Sequence, residues 1–73
     1  MDSYDIEQTL LGKLIVNPEL IDKYNQLLHE NLFEFPFNKS TYHAIIKLKS
    51  KDRVIDILTV SKLIKGEDII LNL

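Results

Sequence analysis

The chain has 73 residues, 45% of them hydrophobic and none of them cysteine, so it can build one small core without disulfides, thiol catalysis or cysteine-bound zinc. A domain this short buries only about 60% of the surface its unfolded chain exposes, which excludes most enzymes. Nine Lys/Arg against eleven Asp/Glu leave a net charge of −2, so no overall positive field draws a nucleic acid or an anionic membrane.

The first residues, Met1-Asp2-Ser3-Tyr4-Asp5, are acidic where a signal peptide is basic. No apolar run approaches the roughly 20 residues of a membrane span. A soluble, cytoplasmic chain is the expectation. Apolar positions recur three and four apart almost throughout, and this spacing predicts an all-α fold.

A first helix is predicted from Tyr4 to Val16, with Ser3 as N-cap, Asp5 and Glu7 near the positive end of the dipole, and Ile6, Leu10, Leu11 and Leu14 as the buried stripe. Gly12, in mid-helix, costs about 1 kcal/mol relative to alanine, and close approach of another helix is the expected reason for it. Asn17-Pro18 stops this helix and starts a second, with Asn17 as its cap and Leu20, Ile21, Tyr24, Leu27 and Leu28 on its inner face.

Between Asn31 and Phe37 the pattern breaks. Phe33, Phe35 and Phe37 surround Pro36, which disfavours α conformation at Phe35, and an irregular connector whose rings plug the core is expected. If two of these rings were exposed, they would form a partner site. Asn38 is the expected N-cap of a third helix, with Phe37 and Tyr42 as a hydrophobic staple and Tyr42, Ile45 and Ile46 inward. Asp56 should cap a fourth, with Ile55 and Val60 as staple and Ile57, Val60 and Ile64 on one face. Gly66 fits the left-handed position that ends it. The apolar tail from Glu67 to Leu73 is too short for a stable helix alone and is expected to be covered by something.

Chemistry is sparse. Gly12-Lys13 lacks the surrounding glycines and the Ser/Thr of a phosphate-binding loop. His29 and His43 lie on different predicted elements with no ligand partner at helical spacing, and no serine lies in a nucleophile motif. No catalytic, cofactor or metal residue is assigned. The one charge run, Lys47-Leu48-Lys49-Ser50-Lys51-Asp52-Arg53, suits the negative end of the third helix. Its sharper reading makes Lys47, Lys49, Lys51 and Arg53 candidate contacts for a phosphate backbone or an acidic partner. No aromatic interleaves them to stack on bases.

The segment Ser3-Tyr4-Asp5-Ile6-Glu7-Gln8-Thr9-Leu10-Leu11-Gly12 resembles the opening of the N-terminal domain of DnaB-type replicative helicases, whose usual run is Ser-x-Glu-Ala-Glu-x-x-hydrophobic-Leu-Gly. Asn31-Leu32-Phe33 followed by Tyr42-His43-Ala44-Ile45 is similar to the family's Asp-Phe-[Phe/Tyr] and His-x-x-Ile-Phe segments. Val54-Ile55-Asp56-Ile57-Leu58-Thr59-Val60 resembles its Pro-Ile-Asp-hydrophobic-hydrophobic-Thr-Leu helix start. The departures are Asp5 for Glu, Ile6 for Ala, Val54 for Pro, and no Arg after Asn38.

The resemblance implies a small orthogonal bundle of four to five short helices over residues 1–73, with the tail 67–73 incomplete. In the family this head precedes a helical hairpin, a linker and a RecA-like motor, and the N-terminal domains form a collar and help recruit primase and the helicase loader. The implied role is a non-catalytic assembly domain in DNA replication whose partners are helicase subunits, and primase or the loader. ATP and Mg would belong to the motor, which is absent from this chain. Weak or absent DNA contact, and a monomer or weak homodimer with Phe35, Ile70 and Leu73 as contacts, complete the expectation. The competing readings are a stand-alone helicase regulator or inhibitor and a small helical nucleic-acid binder.

Overall fold

The computed structural model describes residues 2–71, with side chains through residue 66. Its elements in chain order are α1 (Ser3–Val16), α2 (Glu19–Lys23), a 3-10 turn (Glu30–Leu32), α3 (Pro36–Ser50) and α4 (Ile57–Leu71). There is no strand among the described residues, and the all-α reading holds. α3 lies at the centre, packed on both α1 and α4, while α2 leans on α1. The central place explains why α3 buries more than one stripe. Tyr42, Ile45 and Leu48 face one side, and Ala44, also fully buried, lets a second side approach. Leu11 and Leu14 of α1, Ile21 of α2, Phe33 and Val60 of α4 complete the core.

The helix starts differ from expectation in three places. Asp2, not Ser3, caps α1, its carboxylate accepting the Asp5 N–H at 2.9 Å. α3 begins at Pro36, not after Asn38. Proline at the first helical position loses no hydrogen bond, and the Lys39 N–H already donates to the Phe35 carbonyl. Asn38 is therefore an interior residue, and with Phe37 outward and Tyr42 inward the expected staple does not form. Asn17 ends α1 through its N–H to the Lys13 carbonyl but makes no side-chain cap for α2. α2 itself stops at Lys23, so Tyr24 and Leu27 lie beyond it and are exposed, leaving Ile21 as the residue it buries.

The buried stripe of α1 is rotated from the predicted one. Ile6 faces solvent, and Glu7 takes the inner position in line with Leu11 and Leu14. No side chain or foreign backbone lies within 4 Å of where a Cβ would stand on Gly12, so no helix packs there. Of the three phenylalanines only Phe33 is buried, its ring 5.0 Å from that of Tyr42, because the early start of α3 turns Phe35 and Phe37 outward.

Asp56 does cap α4. Its carboxylate accepts the Thr59 N–H at 2.8 Å, and the Thr59 hydroxyl accepts the Asp56 N–H at 3.0 Å, so two otherwise unpaired donors are satisfied reciprocally. Val60 is buried and Ile64 half-buried as expected, but Ile57 is exposed. Gly66 does not terminate α4. It is not in the left-handed region, and the helix runs on to Leu71, since one glycine costs a helix only about 1 kcal/mol. The expected self-association contacts Ile70, through its side chain, and Leu73 lie outside the described residues.

Among the described residues the left-handed one is Asp52, at φ 54°. It follows α3, and the three N–H groups there fold back on the helix: Lys51 on the Lys47 carbonyl, Asp52 on Lys49 at 3.1 Å and Arg53 on Leu48 at 2.9 Å. This is the double bond of a Schellman end, normally occupied by glycine at the left-handed position. Asp52→Gly removes the Cβ penalty there and should raise the unfolding free energy by about 0.5–1 kcal/mol, the flexibility that glycine adds to the unfolded chain offsetting part of the gain. Urea denaturation of both proteins checks this.

Candidate interaction surfaces

The least expected feature of the structure is a buried polar cluster between α1 and the start of α3. One Glu7 carboxylate oxygen accepts the Glu34 N–H at 3.0 Å, and the other accepts from the Asn38 side-chain amide at 3.1 Å. The Asn38 carbonyl oxygen in turn accepts from the Gln8 amide. Burial by itself would raise the Glu7 pKa, but the Glu34 N–H, the Asn38 amide, the Phe35 N–H and the charge of Lys39 together outweigh it and hold the carboxyl below its ordinary 4.5. Every group here has a partner inside the protein, so the cluster holds the connector in place and leaves nothing to offer a substrate.

His43 pairs with Glu30 on the surface. No group of three or more His, Cys, Asp or Glu residues that could hold a metal lies among the described residues. No helix there is long and apolar enough to cross a membrane.

The surface carries apolar area instead. Leu10, Leu20, Tyr24, Leu27, Leu28 and Leu32 line a groove between α1 and the segment after α2, and Leu27 is 67% exposed. A second groove, between α1, α3 and α4, runs past Gly12, Phe37 and Ile57, with both large side chains more than half exposed. Phe35 stands apart from both, its ring edge-on to Tyr4 at 5.2 Å, so it is only partly available for self-association.

The predicted basic residues divide. Lys49 turns back and donates to the Asp22 carboxylate at 2.8 Å, tying α3 to the end of α2. That hydrogen bond, with the Asp22 charge, raises the Lys49 pKa above 10.5 against a smaller opposing effect of burial. Lys47, Lys51 and Arg53 stay together and line adjoining grooves at the end of α3. Lys62 of α4 joins them. Sequence reasoning missed it because only the tight turn at Asp52 brings α4 alongside this end of α3, and nothing in the linear order of the charges announces that turn.

The comparisons with known proteins come to one family. The family model "DnaB-like helicase N terminal domain" matches residues 1–72. A curated relative, the "Replicative DNA helicase DnaB" of Rhodothermus marinus, is 29% identical over 58 residues, which cover 80% of this chain and 6% of the relative. The chain thus spans a small part of the helicase it resembles, and the part it matches is an N-terminal domain, not a motor. No solved structure matches it. With the family model covering nearly the whole chain and the helical architecture in agreement, the chain belongs to the DnaB-like helicase N-terminal domain family.

Proposed function

We propose that the chain acts as a non-catalytic assembly and interaction domain of a replicative DNA helicase, contributing to the hexamer collar and to contacts with primase or the helicase loader. The observation that carries this reading is the family match over residues 1–72. Two apolar grooves on the outside of a filled core support it, because a domain that acts alone has little use for exposed side chains such as Leu27 and Ile57. The shifted carboxyl of Glu7 is engaged by Glu34 and Asn38 and the shifted amine of Lys49 by Asp22, which agrees with structural roles for both and with a domain that works by binding.

The test mixes the purified chain with the replicative helicase of the same organism and follows ring assembly by analytical ultracentrifugation, and unwinding on a forked DNA. Association that disturbs ring assembly or slows unwinding is expected. Absence of any effect at saturating chain would overturn the assembly role. Leu27→Asp and Ile57→Asp, each exposed and therefore compatible with folding, should each relieve the effect if their groove carries it.

A further inference from the structure

We propose that the groove between the end of α3 and the first turns of α4 docks an acidic peptide segment of a partner protein, one that carries apolar side chains among its carboxylates. The groove is open, with a volume of about 780 Å³. Its floor is apolar: Leu48 is buried, Leu63 half-buried, and Val54 is 69% exposed to whatever enters. Its rim is cationic. Lys51, Arg53 and Lys62 line it, Lys47 lines the adjoining groove, and Asp52 is the one carboxylate among the lining residues.

This concentration of positive charge sits on a chain whose net charge is −2, so it is a local asymmetry and not a reflection of overall composition. Among the described residues none of the four cations is used in an ion pair within the protein, in contrast to Lys49. Three carbonyls at the end of α3, those of Lys47, Leu48 and Lys49, which would repel an anion, are already occupied by the N–H groups of Lys51, Arg53 and Asp52. An incoming carboxylate therefore meets cations and not bare helix dipole.

The apolar floor decides between classes of anion. A phosphodiester backbone satisfies lysine and arginine but leaves Val54 and Leu63 against water, and no aromatic ring lines the groove to stack on a base. A peptide with leucines between acidic residues covers both floor and rim. Exposed ion pairs contribute little singly, so affinity must come from the rim and floor acting together. The proposal does not depend on assembly with a helicase and is tested without one.

The probe is a short fluorescein-labelled peptide of alternating glutamate and leucine, titrated with the chain at physiological salt and read by fluorescence anisotropy. Saturable binding is expected, weakened roughly tenfold both by Lys51→Glu combined with Arg53→Glu and by exchange of the peptide leucines for serine. Lys62→Glu, on the opposite wall, should weaken it in the same direction, while Lys13→Glu, on α1, should change it less than about twofold. Unchanged thermal unfolding of the variants shows that the loss is one of binding. No binding by the wild-type chain, an equal loss with Lys13→Glu, or insensitivity to the leucines would overturn the proposal. So would displacement of the peptide by a DNA oligonucleotide at lower concentration than by unlabelled peptide, which would make the groove a nucleic-acid surface.

Discussion

Phe33→Ala is expected to lower the unfolding free energy by about 3–5 kcal/mol, the usual cost of emptying a fully buried aromatic site. Phe33 is 1% exposed, and its ring packs on Tyr42 at the point where the connector meets α3. A domain of 73 residues has a total stability of only about 4–11 kcal/mol at the usual value per residue. The substitution therefore takes roughly a quarter or more of what there is. A chemical denaturation midpoint, followed by circular dichroism, measures it, and a loss below about 1 kcal/mol would show that the site collapses around the missing ring. Phe37→Ala is the contrast. That ring is more than half exposed, and its removal should shift the midpoint little.

The second large effect belongs to Asn38. It is fully buried and bridges Glu7 to Gln8. Asn38→Ala removes a hydrogen bond to a charged group and leaves the Gln8 amide with its longer bond to the Tyr4 hydroxyl at 3.3 Å, a change worth about 2–3 kcal/mol. The loss should depend on pH. The Glu7 carboxyl is held below its ordinary 4.5, which means that the folded state binds the proton less readily than the unfolded chain. The stability this provides is fully present above 4.5 and is lost as pH falls through the lowered folded value. Without Asn38, one of the interactions that lower the pKa is gone while burial still raises it. The gap between wild type and variant should thus be widest at neutral pH and narrow in acid. Denaturation curves at a series of pH values would show this, and a gap independent of pH would mean that Glu7 and Asn38 are not coupled.

Hydrophobic spacing located the middles of α3 and α4, where their inner faces are made of ordinary apolar residues, and missed the first turn of α3, where the buried residue is Asn38. Tyr42, Ile45 and Val60 are buried as the period of 3.6 requires, and the Asp56–Thr59 cap follows a recognisable local pattern. The inner face of α1 was misread because a glutamate stands on it. A carboxylate near the start of a helix has a sufficient explanation in the dipole, and its true partner, Asn38, is 31 residues away. The aromatic cluster failed for a related reason. Composition shows that three rings fall close together, but only the start of α3 decides that one turns in and two turn out.

The candidate surface was half legible. Lys47, Lys51 and Arg53 stand out in the linear sequence, whereas the retreat of Lys49 to Asp22 and the arrival of Lys62 are consequences of packing. The arrival of Lys62 depends on the left-handed Asp52, and with aspartate in the place usually taken by glycine no glycine signals the turn. The family resemblance reached further than any of these local signals, because it rests on the order of several motifs and not on where each side chain points.

The link between α3 and α4 has a mechanical consequence. At one end the amides of Lys51, Asp52 and Arg53 are bonded to the helix they leave, and at the other the amide of Asp56 and the hydroxyl of Thr59 are bonded to each other, with the hydroxyl also placed to donate to the Val54 carbonyl. So short a segment, held at both ends, has no slack. Such a joint is expected to act as a stiff elbow, so that α3 and the first turns of α4 turn as one unit and not about the link between them.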